Sequence, residues 1–152
     1  MTRVWRIVKE KYAETAFSGE GARRAGGRFN RPGTPVVYTS ESLALAQLEI
    51  LVNLPTDRLL ASYVAFWAEL PDRRVATLDR EELPEGWRDA PAPTSVRELG
   101  EKWIESERSL ALRVPSAVVP AEDNVLINPR HPAFEEVETH GPVDPEIDDR
   151  LR

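Results

Sequence analysis

The chain contains no cysteine, only two histidines and one methionine, and its apolar stretches are short. Without cysteine there can be no disulfide, no thiolate metal ligand and no cysteine nucleophile. His131 and His140 stand nine residues apart, a spacing that suits neither a zinc site nor the imidazole of a Ser-His-Asp triad. The longest apolar run, Leu43 to Leu54, is interrupted by Gln47, Glu49 and Asn53, well short of the roughly 20 residues that cross a bilayer. MTRVWRIVKE has no apolar segment ahead of a small-residue cleavage site, so a cytoplasmic location with no membrane contact is the expectation.

What is present fits one ordinary domain. The chain has 152 residues, 41% of them hydrophobic and 30% charged, enough for a single core. A net charge of −6 disfavours direct nucleic-acid binding, which calls for a basic face. Charge is nevertheless uneven. Residues 21–40 carry four arginines and no acid or lysine, whereas residues 135–152 carry seven acids and two arginines. A small positive island in an acidic protein suits a small anionic ligand better than a polymer.

Read along the chain, Val4–Val8 is rich in β-formers and predicts a first strand. Phe17–Thr34 holds five glycines and one proline and predicts a long ordered loop, followed by a short buried strand at Pro35–Thr39. Ser40 is the expected N-cap of a largely buried helix running to Leu54. Ala61–Leu70 and Val75–Leu78 read as strands, and residues 82–94, with three prolines, as irregular. Ser95 is the expected cap of a helix from Val96 to Arg108, with Val96, Leu99, Trp103 and Ile104 on one face. Ser116–Val119 and Asn124–Asn128 read as short strands, and Thr139–Arg152 as an acidic, mobile tail. The pattern is α+β with an antiparallel or mixed sheet and no βαβ regularity.

Several polar residues stand where a polar residue needs a reason. Arg28 sits among glycines in GGRFN, where the backbone can approach a ligand and a guanidinium can fork a phosphate, although a solvated loop arginine explains it as well. Tyr38, in VVYT, reads on its own as a core or edge aromatic whose hydroxyl reaches water. Glu49 is an acid inside LALAQLEILV, either functional or part of a narrow polar stripe with Ser42, Ala46 and Asn53. Ser116 in RVPSAVV reads as the cap of the turn after Pro115.

Taken together, FSGEGARRAGGRFNRPGTPVVYTSESLALAQLEILV, LDREELPEGWR, the helix with Trp103 and SLALRVPSAVVPAEDNVLINPRHPAF resemble RES domains, the toxins of RES–Xre toxin–antitoxin pairs, in the same order from Val4 to Phe134. Phe29 departs from the family's frequent tryptophan after the arginine but keeps an aromatic, and the acidic tail carries no motif of the family. The resemblance implies a RES domain over residues 1–138 and a separate tail over 139–152. It implies an ADP-ribosyltransferase-like single domain with a small mixed or antiparallel sheet flanked by helices. It places the family's arginine, tyrosine, glutamate and serine on Arg28, Tyr38, Glu49 and Ser116. It further implies NAD⁺ as substrate rather than cofactor, cleaved at the nicotinamide–ribose bond by hydrolysis or phosphorolysis. Alternatives are transfer of ADP-ribose to a protein by the same residues and a non-catalytic nucleotide-binding module. The implied partner is a helix-turn-helix antitoxin of the Xre family that covers the site, in a complex whose symmetry allows a homodimer. For that substrate, Arg28 is the expected phosphate clamp with Arg24 or Arg31 assisting, and Asn128 and Arg130 in INPRHP are further candidates for lining the cleft, a structural turn explaining them equally well.

Overall fold

The computed structural model describes residues 1–54 and 62–151. Seven strands form one mixed sheet: β1 (Thr2–Lys9), β2 (Val37–Ser40), β3 (Tyr63–Leu70), β4 (Val75–Thr77), β5 (Ala111–Pro115), β6 (Asp123–Ile127) and β7 (Glu138–Val143). Their order across the sheet is β4-β5-β6-β2-β1-β3-β7, antiparallel except for the parallel β4–β5 pair. Among the described residues three α-helices attend it: α1 (Glu20–Ala25), α2 (Leu43–Asn53) and α3 (Thr94–Ser106). Among the described residues no helix is long and apolar enough to cross a membrane.

The expected α+β architecture is therefore present. β1 and β3 pair over their whole lengths, from Thr2↔Leu70 to Lys9↔Tyr63. β1 and β2, by contrast, share one register pair, Trp5↔Ser40. The sheet thus splays between its two halves, and the Arg6 guanidinium bridges the split by donating from Nη1 to the Tyr38 carbonyl at 2.9 Å. Val4, Val37, Ala68, Leu70, Leu110, Ala111, Val125 and Ile127 form a core cluster. α3 packs Val96 and Trp103 with Phe29, Val36, Leu112, Val114 and Leu126, while Ala46 of α2 packs on Ile7 and Ala65. The two helices therefore cover different parts of the sheet, and a cleft remains between their contacts.

Several local expectations are corrected. The glycine-rich stretch is ordered but not all loop, because residues 20–25 form α1. Ser40 does not cap α2: it belongs to β2, and Ser42 Oγ accepts from the Leu45 N–H at 3.0 Å two residues later. Nor is α2 largely buried. Leu45 and Ala46 are, whereas Leu48 is 37% and Val52 59% exposed, because only one side of the helix meets the sheet. α3 begins at Thr94 after Pro93, with no side-chain cap from Ser95. Ser116–Val119 is a turn rather than a strand, and the strand precedes it at Ala111–Pro115, where burial on both faces hides any alternation. Of the strand expected over residues 61–70, Ala61 lies outside the described residues.

The proposed boundary at residue 138 falls at the start of a strand. Residues 139–143, expected to open a mobile tail, belong to β7, which pairs with β3 at Trp67↔His140, Ala68↔Thr139 and Glu69↔Glu138. His140 stacks on Trp67 with ring centroids 5.2 Å apart, and Gln47 of α2 donates to the Pro145 carbonyl at 3.1 Å. Backbone pairing and these two contacts outweigh the polar composition that predicted a tail.

Candidate active site

A cleft of about 750 Å³ opens where the two halves of the sheet part, within the size range of small-molecule sites. Its lining brings together Arg28, Tyr38 and Glu49, three residues from the glycine-rich loop, β2 and α2. Ser116 stands directly behind Glu49.

Arg28 is presented by a tight turn. Gly27 and Asn30 exchange backbone hydrogen bonds at 3.0 and 3.4 Å, which leaves Arg28 at the tip. Asn30, fully buried, holds the turn from inside: its Nδ2 donates to the carbonyls of Ala22, Arg31 and Thr34 at 2.9–3.0 Å. Gly27 is required by contact, since a Cβ there would meet the Tyr38 hydroxyl at 2.6 Å. From α3, Gly100 lies so close that a Cβ would sit 1.8 Å from the Phe29 carbonyl oxygen. The Glu101 carboxylate accepts from Arg31 N–H at 2.8 Å and Thr34 Oγ1 at 3.0 Å. The loop is therefore fixed on three sides. Arg28 Nη1 donates to the carbonyls of Trp87 and Asp89, both at 2.9 Å, while Nε and Nη2 make no hydrogen bond to the described residues.

The Tyr38 hydroxyl does not reach water as a sheet-edge phenol would. It donates to Asn30 Oδ1 at 2.6 Å and accepts from the Phe29 N–H at 3.0 Å. Burial pushes its pKa well above the ordinary tyrosine value, so it stays protonated. The hydroxyl thus serves the loop, while the residue lines the cleft.

Glu49 is anchored by one oxygen. Its Oε2 accepts from Ser116 Oγ at 2.9 Å and from Asn124 Nδ2. Asn124 Oδ1 in turn accepts from Ser40 Oγ at 2.7 Å, which fixes the amide's orientation. Ser116 is fully buried, and its oxygen accepts from the N–H groups of Val118 and Val119, both at 3.0 Å. Its single proton is therefore left for Glu49. Ser116 caps the turn and aims the acid at once, whereas Glu49 Oε1 makes no hydrogen bond to the described residues.

Electrostatics set the cleft apart from the rest of the surface. Arg6, Arg28, Arg88 and Arg97 line it against one acid, Glu49, in a protein of net charge −6. Nine arginines elsewhere pair with carboxylates. None of the four in the cleft has an ionic partner among the described residues. Arg6 spends Nε on the Ala16 carbonyl and Nη1 on Tyr38, and burial lowers its pKa to about 10, which leaves it charged at neutral pH. Arg88 Nε donates to the Ala117 carbonyl at 2.9 Å, beside Ser116. Unneutralised guanidiniums on a concave surface attract an anion.

The remaining candidates fall elsewhere. Arg24 is exposed and lies 3.5 Å from Glu20, and Arg31 is exposed and 3.7 Å from Glu98, so neither lines the cleft. Asn128 is buried in a turn, its Oδ1 accepting from the Arg130 N–H at 3.0 Å, and Arg130 is exposed. Both stand outside the cleft, as the turn reading of INPRHP has it. Residues missed from sequence are Arg6, whose charge inside VWRIV was the available signal, and Asn30, Asn124 and Arg97, which carried none.

The RES domain profile matches residues 3–149, nearly the whole chain. The chain belongs to the RES domain family. Among its relatives, "Toxin Res" of Yersinia enterocolitica is 39% identical over 132 residues, covering 87% of each chain. The "Prs ADP-ribosylating toxin" of a Sphingobium species is 39% identical over 136 residues, covering 86% of this chain and 84% of that one. A solved structure, the Mycobacterium tuberculosis MbcT–MbcA toxin–antitoxin complex, superposes with a TM-score of 0.75 at 18% identity, over 94% of this chain and 84% of that one. At that identity the likeness speaks for the fold. The family match runs through β7, so the strand is part of the RES domain rather than an appendage.

Proposed function

We propose that this RES domain cleaves NAD⁺ at the nicotinamide–ribose bond and acts as the toxin of a toxin–antitoxin pair. The observation that carries the reading is one cleft holding four arginines without acidic partners among the described residues and a glutamate with one oxygen anchored and the other without a described partner. The diphosphate of NAD⁺ would meet the guanidiniums, with Arg28 as principal clamp through its uncommitted edge. The Tyr38 ring offers a face for the nicotinamide or the ribose.

Cleavage breaks the C1′–N bond, and its electron pair leaves on nicotinamide, which departs neutral and needs no acid. Positive charge then builds on the ribose, as in glycoside cleavage. Glu49 Oε1 holds a ribose hydroxyl or stabilises that charge, and it aligns or deprotonates the incoming nucleophile. Water as nucleophile gives ADP-ribose, and phosphate gives its 1″-phosphate. NAD⁺ is thus a substrate, and the reading calls on no cofactor and no metal. Ser116 and Asn124 act through Glu49.

A second reading has an observation of its own: a relative 39% identical is named an ADP-ribosylating toxin. The same site would then pass ADP-ribose to a protein nucleophile. The partner in this reading is an antitoxin of the Xre type; the toxin–antitoxin structure that shares the fold, and the exposed apolar Leu48 and Val52, the latter at the rim of the cleft, support an antitoxin as such. We place the reaction in the cytoplasm, where NAD⁺ is abundant. The test is a timed incubation of the purified chain with NAD⁺, with and without phosphate. Free nicotinamide with ADP-ribose or its phosphate is expected. Turnover only with an added protein acceptor would favour transfer, and binding without any product would leave a nucleotide-binding module.

A further inference from the structure

The clamp on the diphosphate needs a second cation. A dinucleotide carries two phosphoryl charges side by side, and a guanidinium whose Nη1 already serves two carbonyls has one free edge to offer. The other cleft arginines differ in what they can still give. Arg6 has Nε and Nη1 committed to Ala16 and Tyr38, and Arg88 has Nε committed to Ala117. Arg97, in the first turn of α3, lines the same cleft, is half-buried, and makes no side-chain hydrogen bond or ion pair among the described residues. Its own helix does not neutralise it. Glu98 lies 3.7 Å from Arg31, and Glu101 holds Arg31 N–H and Thr34 Oγ1. With Glu98 beside Arg31 and Glu101 holding the loop, Arg97 keeps its full fork among the described residues.

We propose that Arg97 is a substrate-binding residue that pairs with Arg28 across Tyr38, the two arginines taking one phosphoryl group each of the dinucleotide's diphosphate. Both guanidiniums lie within electrostatic reach of one hydroxyl: burial pushes the Tyr38 phenol up and the Glu101 charge adds to that, while the Arg28 and Arg97 charges each oppose the shift. They come from different elements, the turn at Gly27–Asn30 and α3, and those elements are locked together by the Gly100–Phe29 contact. The spacing of the pair is thereby built into the packing. The inference rests on the cleft being a dinucleotide site, and the experiment separates the two.

The probe is ADP-ribose, titrated calorimetrically into wild type, Arg97→Gln, Arg97→Lys and, as a control on an exposed arginine outside the cleft, Arg108→Gln. Loss of a charge-assisted contact predicts a Kd about ten- to a hundredfold weaker for Arg97→Gln. Arg97→Lys should recover part of the loss, and Arg108→Gln should bind as wild type. Because the Arg97 side chain holds no other described residue, the Arg97→Gln melting temperature should stay within about 2 °C of wild type. In NAD⁺ turnover, KM should rise by a similar factor with kcat changed less than about threefold, the signature of binding energy shared by ground and transition states. Wild-type affinity in Arg97→Gln would overturn the role of Arg97 while leaving the cleft assignment intact, and so would a loss of affinity that follows a lowered melting temperature. Failure of wild type itself to bind ADP-ribose or NAD⁺ would overturn both.

Discussion

Replacing Ser116 by alanine removes three hydrogen bonds at one buried atom. The hydroxyl donates to Glu49 Oε2 and accepts from the N–H groups of Val118 and Val119. Each orphaned group costs up to about 1–3 kcal/mol when buried, but the two N–H groups belong to half-buried residues and recover part of that from water. A net destabilisation of about 2 kcal/mol is expected, which for a chain of this length lowers the melting temperature by about 4–8 °C. On the catalytic side, Glu49 keeps Asn124 but loses one of two anchors on Oε2. We expect a fall in kcat of about tenfold, equivalent to 1.4 kcal/mol of barrier. Nicotinamide release and thermal melting measured on the same preparations separate the two effects. The diagnostic comparison is a double-mutant cycle with Glu49→Gln: if Ser116 acts through Glu49, adding Ser116→Ala to that variant should cost little further rate. A lowered melting temperature with wild-type kcat would reduce Ser116 to a turn cap. An additive rate loss would mean that it touches the substrate independently.

Two further outcomes follow from the same geometry. Gly100→Ala drives a methyl into the Phe29 carbonyl, so we expect about 1–3 kcal/mol of destabilisation in a urea melt together with a raised KM for NAD⁺, because Arg28 moves with the loop. Unchanged stability and KM would show that α3 does not set the loop's position. Asn124→Asp places a second carboxylate against Glu49 Oε2 and raises the pKa of the pair. The acid limb of the kcat/KM profile should move to higher pH, with activity lost earlier as pH falls, and an unmoved limb would contradict the contact.

How far the sequence spoke for itself depends on the kind of signal. β1, β2, β3, β6 and both longer helices were visible in β-branched content and helical spacing, because each has one dominant burial face or a short fully buried run. β5 lies ahead of the strand expected at Ser116–Val119, since ALRVP is buried on both sides and SAVV carries the more obvious β-formers. β7 was invisible because its residues are all exposed, and what holds it is backbone pairing to β3, which leaves no trace in hydropathy. At the site, Arg28, Tyr38, Glu49 and Ser116 were legible through family resemblance, and the structure brings them to one place. Arg24 and Arg31 looked like helpers because they share the basic stretch with Arg28. Their pairing with Glu20 and Glu98 depends on α1 and α3 geometry that composition does not encode. Arg97 carries no signal in the sequence, and its significance lies in its having no partner among the described residues.

The account turns on Glu49 acting on NAD⁺ bound in this cleft. The most direct measurement is the rate of nicotinamide release from NAD⁺ by wild type and Glu49→Gln, purified side by side and matched for melting temperature. Loss of a preorganised charge at the developing oxocarbenium costs roughly 2.7–4 kcal/mol, so turnover should fall about a hundredfold or more while the fold persists. Equal rates in the two proteins, or no release by wild type under any acceptor condition, would contradict it.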